Sequence, residues 1–203
     1  MLPTPIIIIL LALISYAIGC FSTARLIAKN FKQLNIYKVG TGHPDTENIY
    51  QNVSKTLGVL VGFVDMAKIY VFLQILKLIF NSLEINVVSD VHLMIYGFSM
   101  ILGHSLPITN NFKGGRGLFS YIGFASFFVF KPMLVVVALA LVVVVVFKQI
   151  RFAQYMIVLL PPIVTYFFNI FTHSYQGLPS VLFIFSVLMG VVNFFVSKNL
   201  GEI

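Results

Sequence analysis

Long apolar runs separated by short polar gaps set the pattern of this chain. A helix that crosses a bilayer's hydrocarbon core needs about 20 mainly apolar residues, or about 17 at the short end. Runs of that kind cover 3–21, 57–80, 91–110, 152–172 and 179–196. The stretch 117–147 is too long for one ordinary span and is interrupted by Lys131-Pro132. Proline removes a backbone donor and disfavours helix in the residue before it. The pattern therefore predicts two short helices there, about 117–130 and 132–147, with one long kinked or re-entrant helix as the alternative. The expected fold is an all-α integral membrane protein, a single transmembrane domain over 1–203 with about seven helices.

Composition strengthens that picture. Hydrophobic residues make up 59% of the chain and charged residues 9%, against about 25% charged in an ordinary soluble domain. A net charge of +7 could suit nucleic acid. Here, however, the cations sit in the gaps between apolar runs, so they orient the chain in a membrane and no nucleic-acid partner is expected. The lone Cys20 excludes an intramolecular disulfide and a cysteine-built zinc site. The opening stretch ends in Ile-Gly-Cys, as a lipoprotein cleavage site would. It lacks the cationic n-region of a signal peptide, so a retained first helix is expected.

Seven spans put the termini on opposite faces. With the N-terminus outside and the C-terminus cytoplasmic, the inner segments hold Arg25, Lys29, Lys32, Lys38, Lys55, Lys113, Arg116, Lys148, Arg151 and Lys198. The outer side holds only Lys77 and Lys131, and Lys68 lies within a span. This is the positive-inside bias of an oriented membrane protein. Glu84 and Asp90 fall in an outer loop, and the break at Lys131-Pro132 preserves the alternation.

Two polar stretches on the inner face carry candidate chemistry. Residues 35–56 contain Gly40-Thr41-Gly42-His43-Pro44, dense in turn-formers. Residues 103–117 read GHSLPITNNFKGGRG, where glycines beside Lys113 and Arg116 let backbone amides converge on an anion. That stretch runs into a helix start near Gly117, whose dipole favours negative charge. The plain alternative is a cationic inner loop with glycines for tight turning. Asp65 and Lys68 lie three residues apart within a span and so share a face. Each costs about 2.5–3.5 kcal/mol to insert, so they are expected to pair or to support a polar site. His104 suits either a helix end or an active site. His92 and His173 read as outer interfacial residues. His43, Asp45 and Glu47 lack metal-ligand spacing, so no metal is expected, and neither Gly-x-Ser-x-Gly nor HExxH occurs.

These stretches have a family likeness. GHSLPITNNFKGGRG resembles the GHxFPxFLxFKGGKG motif of the bacterial PlsY family, membrane glycerol-3-phosphate acyltransferases that use acyl phosphate as donor. Gly103, His104, Pro107, Phe112, Lys113, Gly114, Gly115 and Gly117 match in register, with Arg116 in place of the second lysine. The first stretch resembles DIRxxGSGNxGATNxxR through Ile36, Gly40, Gly42 and Asn48, with Thr41 for serine. LGVLVGFVDMAK, with Asp65 and Lys68, is similar to the family's second helix, and CFSTARLIAK to the end of its first. The chain departs from the pattern at Asn35, at Tyr37, at His43 to Glu47, and at Gln51, which stands for arginine. A third motif, Arg-Tyr-x-Ser, corresponds at best to Arg151-Phe152-Ala153-Gln154, and Asn193 is the nominee for the C-terminal motif.

The resemblance implies acyl transfer from acyl phosphate to glycerol 3-phosphate, or a related phosphorylated acceptor, in the bacterial cytoplasmic membrane, with no cofactor. It implies catalytic roles for Lys113, Arg116, His104 and Thr41, and phosphate binding by Gly40, Gly42, Gly114, Gly115, Gly117, Asn48 and Arg151. Asp65 and Lys68 would support the site. Because Asp45 and Glu47 would repel a phosphate unless paired with Lys38 or Lys55, two alternatives stay open. One is a paralogue of altered specificity or without catalysis that binds phospholipid or acyl phosphate; the other is a small anion transporter.

Overall fold

In a computed structural model of the chain, residues 4–82 and 89–199 are described. Glu84 lies outside them. Every regular element among the described residues is helical. The α-helices are α1 (Thr4–Gly19), α2 (Thr23–Lys32), α3 (Thr46–Asn52), α4 (Lys55–Ser82), α5 (Asp90–Ser105), α6 (Leu118–Phe128), α7 (Phe130–Phe147), α8 (Ile150–Thr172) and α9 (Leu178–Asn199).

Several boundaries differ from the apolar pattern, each for a local reason. The first run stops at Gly19, and a separate helix follows once Ser22 caps it by accepting from the Arg25 amide at 3.2 Å. In α2 the buried Thr23, Ala24, Ile27 and Ala28 alternate with exposed Arg25, Lys29 and Lys32, so one face packs and the other is polar. The turn-rich stretch 35–56 hides α3, which Asp45 caps by accepting from the Asn48 amide at 2.9 Å. The third span ends as α-helix at Ser105 rather than 110. The break in 117–147 falls at Val129 rather than at Lys131-Pro132. Pro132 is the third residue of α7, where its missing amide would have had no partner in the helix.

Six segments among the described residues are long and apolar enough to cross a membrane: Pro5–Lys32, Lys55–Ser82, Asp90–Asn110, Phe130–Phe147, Ile150–Thr172 and Leu178–Asn199. The expected seventh, Leu118–Phe128, has 11 residues. At 1.5 Å per residue it reaches about 16 Å, half of a hydrocarbon core. Large apolar side chains such as Leu78, Val145 and Phe171 face outward, as suits a lipid surround.

The interior is aromatic and centred on α5 and α6. Tyr96, Met100 and Ile101 pack with Tyr121 and Phe124, against Leu73 of α4 and Leu182 and Met189 of α9. The Phe124 ring lies 5.5 Å from Phe185 and 5.4 Å from Phe128 between centroids. The buried Tyr121 hydroxyl and Ser186 Oγ share a 2.8 Å hydrogen bond.

Helix α1 lies against α5 at backbone contact. A side-chain carbon at Gly103 would strike the Tyr16 carbonyl, and one at Gly19 would strike that of Met100. Small residues at such crossings replace a hydrophobic drive that lipid cannot supply. Gly103→Val is therefore expected to cost at least about 3 kcal/mol, the upper end of overpacking penalties, because backbone blocks relaxation. Thermal unfolding of the detergent-purified variant checks this.

Candidate active site

A buried polar cluster forms where the α1–α2 turn meets α4 and α5. Asp65, 2% exposed, accepts from Thr23 Oγ1 at 2.8 Å and pairs with Lys68 Nζ at 3.0 Å. Lys68 also donates to the Phe21 carbonyl at 3.4 Å and lies 3.3 Å from His104 Nδ1. An ammonium only donates, so this contact makes Nδ1 the acceptor and leaves the imidazole proton on Nε2. That nitrogen faces Gly115, where a Cβ would lie 2.7 Å from it. Only glycine lets the loop sit so close to the histidine.

The loop between α5 and α6 is held from several sides. Tyr16 of α1 donates to the Leu106 carbonyl at 2.7 Å and accepts from the Ile108 amide at 3.0 Å. The Gly115 amide donates to the His104 carbonyl at 3.2 Å, and the Lys113 amide to that of Asn110 at 3.0 Å. These two amides are committed within the loop, unlike the anion-binding concavity the glycines suggest. Gly117, at φ +72°, turns the chain into α6. Its carbonyl opens that helix by accepting from the Tyr121 amide at 2.8 Å.

The polar stretch before α4 packs across this loop. Glu47 accepts from Arg116 at 2.7 Å, from Gln154 of α8 at 2.9 Å and from Gln51 at 3.2 Å. Its cationic partner is thus Arg116, rather than Lys38 or Lys55. Asp45 is 7% exposed. Burial pushes its carboxyl above the usual range, opposed by the Asn48 amide and by the charges of His43 and Arg116. Because the folded chain holds this proton to a higher pH than the unfolded chain, stability falls as pH rises from the ordinary carboxylate range through the raised value. Asp45→Asn keeps the cap and removes the titration. Its stability relative to the parent should therefore rise between pH 4 and pH 7, read as melting temperatures at both values.

Two spaces meet at Arg116. A small cavity of about 50 Å³ is lined by Asp45, Glu47, Asp65, His104, Arg116 and the start of α6. A groove of about 350 Å³ between α8 and α9 carries Arg116, Arg151, Gln154, Asn193 and Ser197 among its polar residues. Val158, Leu159 and Phe194 are among its apolar ones. Arg116, Leu118 and Gln154 line both spaces.

The residues expected from sequence divide accordingly. His104, Arg116, Gly117 and Asp65 line the cavity, Lys68 braces it from behind, and Arg151 lies on the groove. Gly114 and Gly115 are buried against the His104 turn. Lys113 is exposed and lines neither space, and so is Thr41, whose Oγ1 accepts from the His43 amide at 3.4 Å. Asn48 knits its own loop: Oδ1 accepts from Thr41 and Asn52, and Nδ2 donates to Val39 and His43. Gly40 and Gly42, at φ +56° and +74°, shape that turn. Among the described residues no group of three His, Cys, Asp or Glu could hold a metal ion. His92 accepts from the Ser89 amide at the start of α5, and His173 ends α8.

Sequence reading missed Thr23, Tyr16, Tyr155 and Ser197 as parts of this region. The spacing of Arg151, Gln154, Tyr155 and Val158 along α8, and of Gly190, Asn193, Phe194 and Ser197 along α9, is the helical-face signal that marks the groove.

A helical membrane fold in which a charged, buried cavity shares a wall with a groove between two helices suits an enzyme acting on lipids. Residues 9–202 match the glycerol-3-phosphate acyltransferase family, and the chain belongs to it. It is 28% identical over 195 residues to glycerol-3-phosphate acyltransferase 1 of Lactobacillus johnsonii, covering 92% of this chain and 88% of that one. It is 35% identical over 137 residues to the glycerol-3-phosphate acyltransferase of Streptococcus thermophilus, covering 66% of this chain and 61% of that one. The fold matches the crystal structure of PlsY (YgiH), an integral membrane glycerol 3-phosphate acyltransferase, in its glycerol 3-phosphate form. The TM-score is 0.72 at 21% identity, over 95% of this chain and 88% of that one. The lysophosphatidic acid form of the same protein matches with the same TM-score at 20% identity.

Proposed function

We propose that this chain transfers an acyl group from acyl phosphate to glycerol 3-phosphate at the inner face of the bacterial cytoplasmic membrane, giving lysophosphatidic acid and inorganic phosphate. The observation that carries this reading is the position of Arg116, shared by the His104 cavity and the groove between α8 and α9. The apolar length of the groove suits an acyl chain, and the guanidiniums of Arg116 and Arg151 suit phosphate at its polar end. Acyl phosphate is already activated, so the protein's task is to position two phosphates and to stabilise charge. The acceptor's 1-hydroxyl attacks the acyl carbon, the bond to the phosphate oxygen breaks, and the hydroxyl proton leaves with phosphate. His104, with its proton on Nε2, orients a reactant oxygen by donating to it, while Asp65 and Lys68 position the ring. Lys113, exposed on the same loop, draws anions to the site without touching them.

The charge count supports an N-terminus outside and a cytoplasmic C-terminus, with α6 and α7 as a short outward and a full return crossing. A second reading has support from one contact: Glu47 on Arg116 favours an acceptor other than glycerol 3-phosphate, among related phosphorylated alcohols. The test is to supply nanodisc-embedded protein with acyl phosphate and labelled glycerol 3-phosphate. Label should move into organic-extractable lysophosphatidate. If none moves while another phosphorylated alcohol is acylated, the second reading stands; if no acceptor is acylated, both fail.

A further inference from the structure

Three positions at which the chain departs from the PlsY-like pattern touch one another. Glu47 and Gln51 stand one turn apart on α3, and Gln154 comes from α8, more than a hundred residues away. Both carboxamides donate to the Glu47 carboxylate, Gln51 to Oε1 at 3.2 Å and Gln154 to Oε2 at 2.9 Å. Arg116 completes the set at 2.7 Å on the same Oε2. A cation and two amide donors converging on one carboxylate form an anion site whose anion is part of the chain. Its place is on the cavity wall, with Arg116 and Gln154 facing the groove as well. The Glu47 side chain is 29% exposed, so it can swing toward solvent without leaving a charge stranded in the interior.

We propose that Glu47 is a tethered competitor for the substrate phosphate. Its carboxylate holds Arg116 and Gln154 until a phosphate group displaces it, and α3 then shifts away from α8. This inference rests on the acyl-transfer reading for the identity of the natural ligand, but the displacement is a property of the site itself. A dianionic phosphate outcompetes one carboxylate at a guanidinium only by overcoming repulsion from it at close range. The resident carboxylate therefore raises the concentration of phosphate ester that the site needs.

Inorganic phosphate is the probe, titrated into full-length detergent-purified protein by calorimetry. Glu47→Gln, which removes the charge and keeps the shape, should bind it roughly tenfold or more tightly than the parent. Equal or weaker binding by the variant would overturn the proposal, since a purely structural ion pair predicts that. Hydrogen exchange on the parent alone gives a second reading that depends on no variant. Saturating phosphate should speed exchange of the amides of residues 46–52, and unchanged or slower exchange there counts against displacement. Acyl transfer measured in parallel separates the two ideas. Tighter phosphate binding in Glu47→Gln with no lysophosphatidate from either protein keeps the tethered anion and removes the enzymatic reading. Lysophosphatidate from the parent with no change in phosphate binding does the reverse.

Discussion

Replacing Arg116 with alanine is expected to lower kcat/KM for acyl transfer by about 10²–10³-fold, the range lost when one preorganised donor to a developing charge is removed. Arg116 lines both the cavity and the groove, so its loss weakens the phosphate position and the link between them. Arg116→Lys should recover only part of the rate, because an ammonium offers one charge centre where the guanidinium offers a planar fork. Lys113→Ala, two residues before Gly115 in the same loop, should change the rate only a few fold, because its side chain lines neither space. Initial rates of lysophosphatidate formation measure all three, with thermal unfolding as the check that each variant is folded.

Asp65→Ala is expected to destabilise the fold by about 3–5 kcal/mol, the cost of breaking a buried ion pair by removing one partner. Lys68 would lose its 3.0 Å partner, and Thr23 Oγ1 its 2.8 Å acceptor. In a protein of this size that corresponds to a fall in melting temperature of roughly 10 °C. Pairing it with Lys68→Met should return much of the loss, because the uncompensated charge disappears with it. A double-mutant cycle read by melting in detergent tests this. If the double variant is as unstable as the sum of the two single ones, the pair is not coupled as its geometry states.

The apolar runs made the long helices legible because a membrane span is set by length and hydropathy over a window, and neither needs tertiary information. The segment just after the first run was not legible. Residues 23–32 mix cations with apolar side chains, and the Ser22 cap that separates α2 from α1 lies inside what reads as one continuous segment, Pro5–Lys32. Likewise, Pro132 is a breaker by type but stands in a first helical turn, which moved the expected break by two residues. In the site, the shared face of Asp65 and Lys68 followed from their spacing, whereas the approach of Thr23 and His104 is a tertiary event. Arg116 was marked by the loop motif. Its pairing with Glu47 was not, since the partners lie 69 residues apart and the cations nearer in sequence, Lys38 and Lys55, were the partners expected for Glu47.

Phosphate and acyl chain should meet at Arg116, with the acyl chain lying between α8 and α9. A photoreactive lysophosphatidate, labelled near its ester, activated on the protein in nanodiscs and mapped by mass spectrometry, tests this directly. Adducts should fall within residues 151–159 and 190–197, and unlabelled lysophosphatidate should compete them away. Competable adducts confined instead to the outward face of α7, at positions such as Leu141 and Val145, would contradict it.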